Sequence, residues 1–195
     1  MHNSMTNPSM SEMIDYLDEW NQNEQLVMVD KVLCRMFTEI YPANDTVVDV
    51  LPKVVAIDRL YNTHLKSVYE MAKHIFSLNI DSMLTTGDQI IVDKIARCSF
   101  RGKEMICVSF ASKYCSFSQP DKFVIYDSRV RKLLWYYKDE LGIAHKKDIS
   151  TYLNYKKAID DLQTKFGLNG RYRGRPITYK LLDQYLWLLA SDRFQ

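Results

Sequence analysis

The chain has 195 residues, 47% of them apolar, and a formal net charge of +2. This length predicts a single domain over residues 1–195 with a sizeable core. No uninterrupted apolar run approaches ~18 residues, which argues against a membrane span, and the polar start MHNSMTNPSMSEM is no secretory leader, so a soluble, cytoplasmic protein is expected.

In chain order the pattern is helical almost throughout. Residues 1–8 are polar and are expected to be disordered. A first helix is predicted from Ser9 or Ser11 through Trp20. A second runs over residues 24–41 on Val29, Val32, Leu33, Met36, Phe37 and Ile40, and Pro42 and Asn44 stop it. A short apolar piece, 47–51, precedes Pro52, which suits the first position of a helix over 53–62. Residues 65–78 repeat the pattern, and Gly87 breaks it. Residues 89–96 fit strand or helix and are read as helix beside helical neighbours. A basic turn, Arg101-Gly102-Lys103, leads into a helix predicted over 104–117. After residues 123–126, which look strand-like, a helix is expected from Asp127 to Leu141. Another covers 150–166 and closes at Gly167. The loop GRYRGRP, 170–176, precedes a last apolar helix capped by Thr178.

The charges are unevenly placed. Residues 1–93 carry 6 Lys/Arg against 14 Asp/Glu, residues 94–147 carry 12 against 5, and residues 148–195 carry 8 against 5. A basic excess over 94–195 suits a polyanionic partner. The four cysteines, Cys34, Cys98, Cys107 and Cys115, lack C-x-x-C spacing and read as free thiols. A zinc site on Cys98, Cys107 and Cys115 lacks a fourth ligand, and His64 and His74 are too far apart in sequence to pair on a metal. No Walker loop or nucleotide-binding glycine fingerprint occurs, and no cofactor is expected.

The chemistry concentrates in residues 108–132, VSFASKYCSFSQPDKFVIYDSRVRK. On a helix, Ser109, Ser112, Lys113 and Ser116 form one stripe at i, i+3, i+4 and i+7. Such a lysine either lies at a close helix–helix seam with its head in water, or is desolvated and becomes a better amine nucleophile. Asp127 stands directly before a helical pattern, where the exposed backbone N–H groups favour a carboxylate as an N-cap.

This order of lysine on a helix, short connection, apolar segment, aspartate and helix resembles the catalytic segment of the helix-hairpin-helix DNA glycosylases. SKYC with Lys113 matches the lysine motif, and VIYDSRV with Asp127 matches the aspartate motif. The stretch is also similar to uncharacterised bacterial proteins with an SFASKYCSF…IYDS signature. The family carries a Gly-x-Gly hairpin ahead of its lysine, where VSFAS stands here.

The resemblance implies an all-α, multi-helix fold with two lobes around a central cleft. It also implies DNA glycosylase or lyase activity on a damaged or modified base, with Lys113 as nucleophile and Asp127 assisting. The iron–sulfur cluster of some members is not implied, because no cysteine follows Cys115. Base flipping needs stacking groups, for which Tyr114, Phe117, Tyr126 and Trp135 are candidates and the core is the competing location. Phosphate contacts would come from Arg129, Arg131, Lys132, Arg171, Arg173 and Arg175. Two non-catalytic alternatives stand beside this reading: a nucleic-acid-binding relative and an interaction protein with an acidic protein partner.

Overall fold

The computed structural model describes residues 7–194. The expected disorder of residues 1–8 therefore falls mostly outside the described residues. Among the described residues the fold is mainly helical, as the sequence pattern predicts, and it also holds two small antiparallel hairpins that the pattern does not predict. Contacts cluster in two compact units. One is Glu24–Asp127, and the other is built from the chain up to Asn23 and from Ser128 onward. The step in charge near residue 93 lies inside the first of these units.

The Glu24–Asp127 unit begins with α2 (Glu24–Arg35), which runs into a single π-helical turn, Met36–Ile40. The helix α3 (Val47–Tyr61) is continuous through Pro52, so the break expected there does not occur. Thr46 is the cap, its hydroxyl accepting from the Asp49 N–H at 3.2 Å. With the start fixed there, Pro52 costs the helix the bond to the Val48 carbonyl, on a residue 75% exposed. Helix α4 (Val68–Ser77) is capped by Ser67, and α5 (Asp81–Thr86) ends at Gly87 with a positive φ of 77°. Helix α6 (Ile90–Ala96) follows.

The helix expected over 104–117 starts later than predicted. Strands β1 (Arg97–Phe100) and β2 (Lys103–Ile106) pair antiparallel, with Phe100 opposite Lys103. The two turn residues, Arg101 and Gly102, both have positive φ, the geometry whose twist matches a two-residue hairpin. Only then does α7 (Val108–Ser118) begin. Residues 123–126 are not a strand either. They carry no regular secondary structure, although Phe123, Val124 and Ile125 are buried.

A buried polar knot ties this unit together. Lys53 on α3 is 0% exposed, and its ammonium donates to the carbonyls of Tyr41 (3.0 Å) and Ala43 (2.9 Å) and to Asn44 Oδ1 (2.6 Å). The same oxygen accepts from the Tyr114 hydroxyl of α7 at 2.5 Å. The Asn44 backbone and side-chain N–H groups both donate to the Asp81 carboxylate of α5. The Phe37 and Tyr114 rings flank the ammonium at 5.3 and 5.6 Å. All three donors of the amine are thus satisfied, which a buried charge requires.

The other unit packs α1 (Met10–Gln22), α8 (Ser128–Tyr136), α9 (Tyr152–Lys165) and α10 (Tyr179–Arg193). Helix α8 is shorter than the span predicted to Leu141, and Gly142 turns the chain with a φ of 66°. Ser9, Thr151 and Thr178 cap α1, α9 and α10. Most of GRYRGRP is a hairpin rather than a loop, with β3 (Arg171–Tyr172) paired to β4 (Arg175–Pro176) through a second Arg-Gly turn of positive φ. Inside the unit, Glu12 accepts from the Tyr185 hydroxyl (2.6 Å) and pairs with Arg193 (3.0 Å), which also donates to the Tyr137 hydroxyl.

Two outcomes follow from the Lys53 knot. Asn44→Ala leaves a buried ammonium, a buried hydroxyl and a carboxylate short of partners, and is expected to cost about 3–5 kcal/mol in urea unfolding; a loss within ~0.5 kcal/mol would remove the knot from the stability account. Burial lowers the Lys53 amine from 10.5 to about 8, while Asp81, Asp49 and Asp45 oppose that shift. Between those two values the unfolded chain holds a proton that the folded one has released. The stability of the native protein relative to Lys53→Met should therefore rise as pH increases from 8 to 10. A flat difference over that window would contradict the assignment.

Candidate functional site

Helix α7 is buried over most of its circumference, so its polar residues must find partners within the fold. Lys113 is 4% exposed. Its Nζ donates to Ser109 Oγ at 2.8 Å, lies 3.4 Å from the Ser109 carbonyl oxygen, and sits 5.4 Å from the centre of the Tyr61 ring. The lysine head is therefore drawn back along its own helix instead of standing in water.

The neighbouring serine does a different job. Ser112 Oγ donates to the Ser109 carbonyl (3.1 Å) and accepts from the Tyr126 N–H (2.9 Å). This last bond joins the residue before Lys113 to the residue before Asp127. The buried side chains of Phe123, Val124 and Ile125 fill the core just upstream. The strand-like composition of that segment thus serves burial, and a serine hydroxyl takes the place of a ladder partner. Asp127 is half-buried and immediately precedes Ser128, the first residue of α8. Lys113 and Asp127 belong to the same compact unit.

The aromatic candidates divide. Tyr114 and Phe117 are core residues, 5.0 and 6.0 Å from the Phe37 ring. Burial raises the Tyr114 hydroxyl well above the usual tyrosine range, and its proton is committed to Asn44. Neither ring is open to stack on a base in this structure. Tyr126 and Trp135 are half-buried, and the Lys138 ammonium lies 5.8 Å from the Trp135 ring. Tyr61, which faces the Lys113 ammonium and packs on Phe117 at 5.8 Å, is a neighbour of the candidate lysine that periodicity alone shows only as inward-facing.

The basic candidates also differ from one another. Arg129 stacks on the Trp187 ring at 5.3 Å and donates to Ser191 Oγ at 3.1 Å. Arg171 donates to the Gly174 carbonyl (2.7 Å), and Arg173 pairs with Asp18 (2.9 Å). The Tyr172 hydroxyl and Arg173 together hold the Asp18 carboxyl below its ordinary value. Arg131 is half-buried, whereas Lys132 and Arg175 are exposed. The hairpin ahead of α7 adds Arg97, Arg101 and Lys103, all exposed and in the same unit as Lys113.

All four cysteines are free thiols. Among the described residues, no group of three or more His, Cys, Asp or Glu side chains could hold a metal ion. No helix among them is long and apolar enough to cross a membrane.

No solved structure matches the chain. An uncharacterised protein of Haemophilus influenzae is 34% identical over 161 residues, covering 80% of this chain and 74% of that protein. The HI_0787_N family model, described as an N-terminal domain, matches residues 12–122, which include Lys53, Tyr61 and Lys113 and stop short of Asp127. With more than half of its length matched, the chain belongs to the HI_0787_N family.

Proposed function

We propose that this protein is a DNA glycosylase- or lyase-like enzyme acting on a damaged or modified base, with Lys113 as nucleophile and Asp127 as the assisting carboxylate. The observation that carries this reading is the Tyr126 N–H to Ser112 Oγ bond of 2.9 Å. It holds the backbone before Asp127 against the residue before Lys113, so the two motif residues are fixed on one scaffold although they are far apart in sequence. The helical fold and the enclosed lysine support the same reading.

In the proposed chemistry, Lys113 Nζ loses a proton to Asp127 and attacks the sugar C1′ as the C1′–N bond to the base breaks. The base leaves with the bonding pair and takes up the proton that Asp127 has just received. The restored Asp127 carboxylate opposes the positive charge on the sugar–amine adduct. It then passes a proton from Nζ to the ring oxygen O4′ as the C1′–O4′ bond breaks, which gives an imine between Nζ and C1′. Enclosure under Tyr61 keeps water from the amine until the substrate displaces it.

A second reading, a nucleic-acid-binding relative without chemistry, is favoured by one observation. Tyr114 and Phe117 are committed to the core, so two of the four stacking candidates are unavailable to a flipped base. Exposed Arg101, Lys103, Lys132 and Arg175 would then contact phosphates.

Borohydride trapping on abasic and base-damaged duplexes separates the two. The enzyme reading expects a covalent adduct mapped to Lys113, lost in both Lys113→Gln and Lys113→Arg. The arginine variant keeps a cation on a long stem but has no primary amine. Asp127→Asn should slow adduct formation. A folded native protein that gives no adduct across the panel, yet binds DNA, would overturn the enzyme reading in favour of the second.

Salt dependence tests the nucleic-acid partner itself. Each phosphate contact contributes about −0.9 to the slope of log K against log salt on duplex DNA. Lys132→Ala and Arg175→Ala should each flatten the slope by about that amount. Arg173→Ala, which breaks the pair with Asp18, should leave it unchanged. A slope near zero in the native protein would count against both readings.

A further inference from the structure

We propose that Cys98 and Cys107, with the thioether sulfurs of Met71 and Met105, form a binding site for a soft monovalent metal ion of the Cu(I) class. The site is a shallow depression between the β1–β2 hairpin and the start of α4. It is separate from the Lys113 chemistry.

The hairpin register creates the site. Cys98 stands opposite Met105, and the Cys107 N–H donates to the Ala96 carbonyl at 2.9 Å, continuing the ladder by one pair. Side chains alternate along a strand, so Cys98, Met105 and Cys107 share one face. The same depression is lined by Met71 of α4 and by Lys66. Four sulfur-bearing side chains thus converge on one concave surface, and the Cys107 thiol lies close enough to interact with that of Cys98.

The diagonal register separates two outcomes for the thiols. Diagonal neighbours across a hairpin lie about 7–8 Å apart, somewhat less at Cβ, whereas a disulfide needs Cβ atoms about 3.5–4.5 Å apart. Two thiolates joined through a metal ion do not need that close approach of their Cβ atoms. Thiolate and thioether donors select soft ions, and a zinc site would need two further nitrogen or thiolate ligands that the described residues do not supply here. Binding releases one proton from each thiol and leaves a net negative bis-thiolate complex, against which Lys66 supplies a cation.

The full chain, reduced and kept under anaerobic conditions, should be titrated with Cu(I) against a chromogenic Cu(I) chelator. The expected result is one equivalent retained by the native protein with a thiolate-to-metal absorption band. That equivalent should be lost in Cys98→Ser/Cys107→Ser, kept in Cys34→Ser/Cys115→Ser, and held more weakly in Met71→Leu and Met105→Leu. Circular dichroism of each variant establishes that it is folded, and the native titration stands even if a variant is not. Failure of the folded native protein to retain an equivalent would overturn the proposal. So would retention that survives loss of Cys98 and Cys107, or a mass loss of two hydrogens showing that the pair closes as a disulfide instead.

Discussion

The Glu24–Asp127 unit is built around a charge that its own core has to solvate. Lys53 has no access to water, and an unpaired ammonium there would be prohibitive. Asn44 resolves this by accepting from Lys53 and Tyr114 and donating twice to Asp81. One side chain therefore fixes α3, the loop before it, α5 and α7 relative to each other. Packing of Phe110, Ile91 and Ile95 supplies area without direction, whereas the knot is directional and sets the rotation of α7. Because Tyr114 must point to Asn44, Lys113 must point along the neighbouring face, toward Ser109 and Tyr61.

The same logic runs through the rest of the candidate site. The serines on α7 are useful because they can hold what a strand or a cap would otherwise hold. Ser109 takes the lysine head, and Ser112 takes the Tyr126 N–H. An alanine at either position would fit the helix equally well and remove that hydrogen bond. The other unit is organised in a similar way around Glu12, Tyr185 and Arg193, which tie α1 to α10.

Much of this was legible in the sequence. Helix caps at Ser9 and Thr178, the stop at Gly87 and the amphipathic spans follow from local chemistry that acts within a turn or two. Local pattern failed where a turn outweighed it. Residues 104–106 have helical spacing with α7, but Arg101-Gly102 closes a hairpin that recruits them as a strand. Residues 123–126 have strand composition, yet they pair with no strand, and Phe123, Val124 and Ile125 are buried without one. The Lys113 stripe was visible as a spacing, and its desolvation was one of two readings that spacing allowed. The Lys53 knot was not visible at all, because Asn44 and Asp81 join it only through tertiary structure and a lysine on a helix is ordinarily a surface residue. For the same reason Tyr114 reads as a plausible stacking group until its hydroxyl is found in the core.

The central claim is that the Lys53 knot holds α7 so that Lys113 is enclosed. Peptide-mapped reductive methylation of the folded protein measures this directly. Lys53 and Lys113 should be protected in the native chain while exposed Lys103 and Lys132 label rapidly, and Asn44→Ala should release Lys53 and Lys113 together. Labelling of Lys113 at the rate of the exposed lysines in the native protein, or release of Lys53 alone in Asn44→Ala, would contradict the account.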